Sequence, residues 1–172
     1  AFVLTQTAVN NYADNLFDFP QSANPTINVR TASQSLQNSI SLERVAVSET
    51  FTKWKNDLEN YKTTDDAAIL ITRVNTYEST IKVFMDKLSE IINDLNTTNS
   101  GLTRATIDSH ITLMNTGLTS LNQAISAVAS AKSILENATT NYDQIYNNYL
   151  LKNSGSSAQA VLAQRAVVDG YR

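Results

Sequence analysis

From Ile107 onward the hydrophobic positions of this chain recur in alternating steps of four and three. The series is Ile107, Ile111, Met114, Leu118, Leu121, Ile125, Val128, Lys132, Leu135, Thr139, Tyr142, Tyr146 and Tyr149. Only Lys132 and Thr139 interrupt its apolar and aromatic character. This heptad seam predicts one helix over residues 103–152 that lays a stripe against another helix. At roughly 1.5 Å per residue, such a helix is about 75 Å long. A second seam precedes it, through Leu70, Val74, Tyr77, Ile81, Phe84, Leu88, Ile91 and Leu95. The polar run Asn96-Thr-Thr-Asn-Ser-Gly101 separates the two. A short loop between long helices makes them antiparallel neighbours. Residues 66–152 are therefore expected to form a helical hairpin with its tip at 96–103.

The remaining patterns complete a bundle. Phe2, Thr5, Val9, Tyr12 and Leu16 share one helical face, which predicts a helix over Phe2–Phe17. The loop from Asp18 holds both prolines, Pro20 and Pro25, which bias their predecessors to extended backbone. Thr31-Ala-Ser-Gln34 is a capping-box sequence and opens a second helix. Its expected buried face is Leu36, Ile40, Val47, Phe51, Trp54, Leu58 and Tyr61, with Trp54 as a core anchor. Thr63 and Asp66 are placed to cap the third helix, in a break at Lys62–Asp66. At the far end, Asn153-Ser-Gly155 predicts a helix stop, with Gly155 left-handed. Ser156 and Gln159 then cap a new helix. The predicted fold class is all-α: a long antiparallel helical hairpin (coiled coil) within an up-down helix bundle. It divides into an N-terminal helix and proline loop (1–30), the bundle with its hairpin (31–153), and the start of a helix leading onward (154–172). The chain starts and stops in mid-pattern, so it reads as an excised segment.

Composition narrows the function classes. The 172 residues are 42% hydrophobic and 17% charged, enough apolar content for a core. The net charge is −3, and the 13 lysines and arginines form no basic block. Clustered cations are what hold nucleic acid, so no nucleic-acid partner is expected. There is no cysteine, which removes disulfides, thiolate metal sites and cysteine nucleophiles. No run of about 18 apolar residues spans a membrane. Two Asn-x-Thr sequons, at Asn96 and Asn137, are taken as accidental.

Little in the chain has the shape of a reaction centre. His110 is the single histidine, and its nearest acid, Asp108, is two positions away, where helical residues do not face each other. Asp65 and Asp66 suit a helix start rather than a catalytic pair. No dinucleotide, P-loop or nucleophile-elbow sequence occurs. No catalytic, cofactor-binding or metal-binding residues are assigned, and no enzyme activity or cofactor is expected. Gly117, inside a helix, has two open readings, close helix approach and simple tolerance. The three tyrosines at heptad spacing read first as core that is wet at one end, and second as an aromatic binding face.

The run Leu151-Lys-Asn-Ser-Gly155-Ser-Ser-Ala-Gln-Ala-Val161-Leu-Ala-Gln164-Arg-Ala-Val-Val168 resembles a recurrent element of periplasmic adaptor proteins, the HlyD-type membrane-fusion family. There a long coil helix ends in a Leu-Lys-x-x-Gly-Ser/Thr turn, and an Ala/Gln-rich capped helix follows. Val161, Ala163, Gln164, Ala166 and Val168 stand in the corresponding places. Glu43–Val47, Thr52–Trp54 and the tip from Leu102 to Asp108 also look like long-hairpin adaptors. The family's lipoyl-like β-domain, β-barrel and membrane anchor lie outside this segment, and Arg104 does not match the spacing of its duct-docking tip pattern.

The resemblance implies a structural interaction module: the α-helical hairpin of an export (efflux or secretion) adaptor that couples a membrane transporter to its exit path. It implies a bacterial cell-envelope location, with a membrane anchor in the intact protein. It also implies transporter or adaptor-subunit partners, a homo-oligomer and, for some members, an outer duct. On that basis Asn99, Ser100, Leu102 and Arg104 at the tip are the expected partner-binding residues, and the tip is expected to carry little of the core. The alternative is an extracytoplasmic four-helix-bundle sensory domain of chemoreceptor type, which binds a small ligand between helices.

Overall fold

The computed structural model describes residues 1–30, 34–62 and 66–171, leaving out the side chains of 156–158. The fold is all-α apart from a minimal hairpin ribbon. Helix α1 (Phe2–Thr7) runs directly into a π-turn (Ala8–Ala13) and a 3₁₀ turn (Asp14–Leu16). Strands β1 (Phe17–Asp18) and β2 (Thr26–Ile27) pair antiparallel, Phe17 against Ile27. Three long helices follow: α2 (Gln34–Asn60), α3 (Ala67–Asn93) and α4 (Arg104–Asp169). The chain divides into two compact units, Ala1–Ala131 and Lys132–Arg172.

The N-terminal segment keeps the expected helical face. Thr5, Val9 and Leu16 are buried, and Phe2 and Tyr12 are half-buried. The π-turn inserts one residue's worth of rotation, so that Ala8 and Ala13 are also turned inward. The expected loop from Asp18 to Pro25 forms the bend of the β1–β2 ribbon, whose two short strands flank the prolines and were not foreseen. Its bend is closed by the Ser22 N–H donating to Phe19 O (2.9 Å), with exposed Phe19 at φ +50°.

Helices α2 and α3 are antiparallel. As α2 advances from Glu43 to Asp57, its partners on α3 retreat from Lys87 to Arg73. Tyr77 donates its hydroxyl to Asp57 (2.7 Å), and its ring lies 6.0 Å from that of Trp54. The buried face of α2 is Ile40, Arg44, Val47, Thr50, Phe51 and Trp54. Leu36, Leu58 and Tyr61, expected on that face, are exposed near the helix ends. The proposed cap Thr31 and the residue Thr63 lie outside the described residues. Asp66 is itself the N-cap of α3, accepting from the Ala68 N–H (2.8 Å).

The seam of α3 is inside along its whole length: Val74, Ile81, Phe84, Leu88, Ile91 and Leu95 are buried, and Leu70 and Tyr77 pack against them. The α3–α4 turn is built as the polar run predicts. Asn96 Oδ1 accepts from the Thr98 and Asn99 N–H groups (2.9 and 3.0 Å), and Gly101 takes φ +72°. Helix α4 begins at Arg104, with Thr103 Oγ1 accepting from the Thr106 N–H (3.2 Å).

Two expectations for α4 fail. The first is the helix stop at Asn153–Gly155. The helix is continuous to Asp169, and Gly155 is not left-handed. Ser154 instead donates its hydroxyl back to Leu150 O (2.8 Å) within the helix. One glycine costs a helix only about 1 kcal/mol, and the alanines that follow favour continuation. The second failure is Leu135, expected in the core and only half-buried. The seam is covered at Ile107, Met114, Leu121 and Val128, and partly at Ile111, Leu118 and Ile125, but not beyond Ala131. At 27 residues, α3 is too short to cover a helix of 66.

Gly117 resolves into the close-approach reading. A Cβ there would stand 3.0 Å from Met85 Cε, 3.1 Å from Tyr12 Cβ and 3.2 Å from Ala8 O. The bare backbone of α4 thus admits both α3 and the π-turn.

Candidate interaction surface

The second unit, Lys132–Arg172, is the C-terminal part of α4. Its apolar side chains are in solvent. Tyr142, Tyr146 and Tyr149 are exposed, as are Leu150, Val161, Val167, Val168 and Tyr171. At about 100° per residue Leu135, Tyr142, Tyr146 and Tyr149 share one face of the helix, whereas Asn153 and Gln164 continue that face and the exposed Leu151 and Leu162 point the opposite way. The Tyr142 and Tyr146 rings stack in near-parallel planes, 6° apart with centroids at 6.2 Å. The tyrosines are therefore an exposed aromatic face, not the wet end of a core.

Thr139 and Lys132, the two polar positions of the seam, are satisfied within their own helix. Thr139 donates its hydroxyl to Leu135 O (3.0 Å) and Thr140 to Glu136 O (2.9 Å), so both are satisfied by their own helix. Lys132 pairs with Glu136 one turn on (3.7 Å), in solvent. The exposed aromatic stripe from Leu135 to Tyr149 marks this part of α4 as a candidate interaction surface.

The hairpin tip is organised differently. Asn99 Oδ1 accepts from the Asn96 N–H (2.8 Å), and its Nδ2 donates to Asp94 O (2.8 Å). Ser100 is buried, donating to Asn96 O (2.6 Å) and accepting from the Leu102 N–H (3.2 Å). Leu102 packs against the core. Asn99 and Ser100 are thus committed to holding the turn. Arg104 is exposed and pairs with Asp108 (3.0 Å), which leaves its guanidinium in solvent.

Sequence patterns missed the buried charges of the first unit. Arg44 Nε donates to Asp14 Oδ1 (2.6 Å), Nη2 to Asp14 Oδ2 (2.8 Å), and Nη1 to Ser48 Oγ (2.7 Å). Glu78 is buried with neither carboxylate oxygen hydrogen-bonded. Loss of hydration lifts its pKa from 4.5 to about 7, against an opposing pull from the Ala1 amino group. The available signal was a charge on each apolar stripe, Arg44 between Ile40 and Val47 and Glu78 between Val74 and Ile81.

His110 is half-buried, and burial lowers its pKa, which favours the neutral ring. Asp108 is engaged with Arg104. Among the described residues, no three of His, Cys, Asp and Glu gather as a metal site. No helix among them is long and apolar enough to cross a membrane. An apolar groove of about 420 Å³ opens in the first unit, lined in part by Phe2, Trp54, Leu58, Leu70, Val74 and Val128. The chain matches no family model, no curated protein and no solved structure.

Proposed function

We propose that this chain is a structural interaction module, the α-helical hairpin region of an envelope export adaptor that couples a membrane transporter to its exit path. The observation that carries this reading is the apolar and aromatic face of α4 beyond Ala131, exposed in a chain with a packed core elsewhere. Exposed tyrosines give rigid contact area with a polar rim, the composition of a protein interface. The resemblance of Leu151–Val168 to adaptor sequences supports the same class, although here the run continues as helix through Gly155. The working surfaces are the α4 face and the tip, and no step of chemistry is required of the chain. The transporter, the adaptor oligomer and the envelope location belong to this proposal.

Transport by the intact adaptor tests it. Arg104→Glu at the tip and Tyr142→Asp with Tyr146→Asp on α4 should each depress export while helix content stays unchanged. Asn99 and Ser100 serve poorly as probes, since their replacement also loosens the turn. Wild-type export from all these variants would reject the proposal.

One observation favours the sensory alternative: the groove beside Trp54 has the apolar lining of a small-ligand site. Trp54 is the single tryptophan, so saturable quenching of its emission by a small apolar ligand, with export unaffected by the α4 variants, would shift the assignment to a sensor.

A further inference from the structure

Among the described residues of the first unit, Thr5 and Glu78 are the buried polar side chains that find no hydrogen-bond partner. They lie at one level of the bundle. Phe2 packs on Trp54 (ring centroids 5.3 Å apart) and Trp54 on Tyr77 (6.0 Å), the residue before Glu78. Farther along, Ala8 and Tyr12 close on Gly117 together with Met85. Helix α1 therefore runs beside α3 from Tyr77 toward Met85, and Thr5 falls between these two contacts, at the level of Glu78. The Ala1 amino group acts on the Glu78 carboxylate, as this placement requires. Helix α4 passes Met85 at Gly117 and shares a groove with Val74 at Val128. Between them Ala124, buried and without a polar side-chain atom, faces the same level.

No other charge answers Glu78 from the elements packed around it. From Gly117 to Val128, α4 carries none. On α2, Arg44 is committed to Asp14 of the N-terminal segment, and Glu49, Lys53 and Lys55 are exposed. On α3 itself, Arg73 pairs with Asp57 and Lys82 with Asp86. The N-terminal segment is fastened unequally. Its far end is held by the Asp14–Arg44 pair and by the contact of the π-turn with α4. Its near end, α1, has six residues and no side-chain cap. Val3 and Leu4 are exposed there, and Phe2 is half-buried. An element with few buried apolar contacts opens locally, at less cost than the whole fold. Lifting α1 is the smallest motion that returns Glu78 to water.

We infer that α1 is a proton-gated flap: it closes over Glu78 while that carboxyl is neutral, and lifts about the Asp14–Arg44 pair when Glu78 is ionised, baring Phe51 and Trp54. An apolar site with no hydrogen-bond partner tolerates the neutral acid and penalises the anion. The closed form keeps the Glu78 proton up to pH about 7, whereas a hydrated Glu78 loses it near the ordinary 4.5. Opening is therefore favoured about tenfold more for each pH unit between these values and levels above them, roughly 300-fold in all. The flap belongs to the first unit alone and depends neither on export nor on what α4 binds.

Amide hydrogen exchange of the 172-residue chain, read by NMR across this pH range and corrected for intrinsic base catalysis, tests the flap. The Thr5 and Ala8 N–H groups donate to Ala1 O and Leu4 O within α1. Their protection is expected to fall about 300-fold up to pH 7 and then to level. At every pH it should stay below that of the Leu88 and Ile92 amides, in the fully buried part of α3. Glu78→Gln and Glu78→Leu should each abolish the pH dependence at Thr5 and Ala8. Protection at Thr5 and Ala8 that ignores pH would overturn the inference. Protection equal to that of Leu88 and Ile92 would do the same, because α1 would then open only with the whole fold. The wild-type slope persisting in either variant would also overturn it. The wild-type comparison between α1 and α3 decides even where a variant does not fold.

Discussion

The Arg44 guanidinium grips the Asp14 carboxylate with two hydrogen bonds of 2.6 and 2.8 Å, and both side chains are buried. This fork ties the 3₁₀ turn at the end of the N-terminal segment to the middle of α2. A buried ion pair contributes little net stability over a packed apolar pair, but removing one partner strands the other charge. Asp14→Ala is therefore expected to cost about 3–5 kcal/mol in denaturant unfolding. Asp14→Leu with Arg44→Met should recover most of that loss. If Asp14→Ala is as benign as a surface change, the pair is not sealed from water.

Gly117 gives a prediction opposite in sign to helix propensity. On propensity alone Gly117→Ala gains about 1 kcal/mol. Here the new methyl meets Tyr12 Cβ and Ala8 O, neither of which moves without shifting backbone. The expected result is a net loss, larger for Gly117→Val, on the scale of about 1–3 kcal/mol typical of overpacking. A raised melting temperature for Gly117→Ala would show that the π-turn does not sit against α4.

The two ends of the α4 seam should differ in energy. Leu121 is fully buried, so Leu121→Ala should cost about 2–5 kcal/mol. Leu135 occupies an equivalent heptad position but is only half-buried, and Leu135→Ala should cost clearly less, about 1 kcal/mol or below. Equal losses at the two sites would place Leu135 in a core.

Glu78 makes stability depend on pH. Its folded pKa of about 7 stands above the ordinary 4.5, so between these values the folded state holds a proton that the unfolded chain releases. Stability attributable to this group is then highest at low pH and declines as pH rises from about 4.5 to 7. Above 7 the full penalty applies, on the order of 3 kcal/mol. Glu78→Gln should flatten the dependence and stabilise the chain at pH 8. The same slope in Glu78→Gln as in the wild type would assign the pH dependence to other groups.

What the sequence discloses follows from the range of each interaction. The α3 seam from Leu70 to Leu95 was fully legible because four-and-three spacing is local and α3 is covered throughout. The Asn96–Gly101 turn was legible for the same reason. The π-turn was not, since Phe2, Thr5, Val9, Tyr12 and Leu16 keep the spacing of an ordinary helix. Gly155 misled because a helix end depends on the flanking residues as well as on the glycine. Arg44 stands on an apolar stripe, but local spacing could not name its partner, because Asp14 is thirty residues away. The candidate surface was half visible. Its stripe is in the heptads, but whether Tyr142 faces a neighbour or solvent depends on how far α3 reaches.

If the Tyr142–Tyr146 face of α4 binds protein, a partner lies against it in the cell. Site-specific photo-crosslinking in cells carrying the intact protein tests it most directly. A photoreactive phenylalanine at position 142 or 146 should give a discrete cross-linked protein adduct. The same group at Asn148, turned well away from the stripe, should give none. Equal labelling from all three positions, or no adduct from 142 and 146, would contradict the claim.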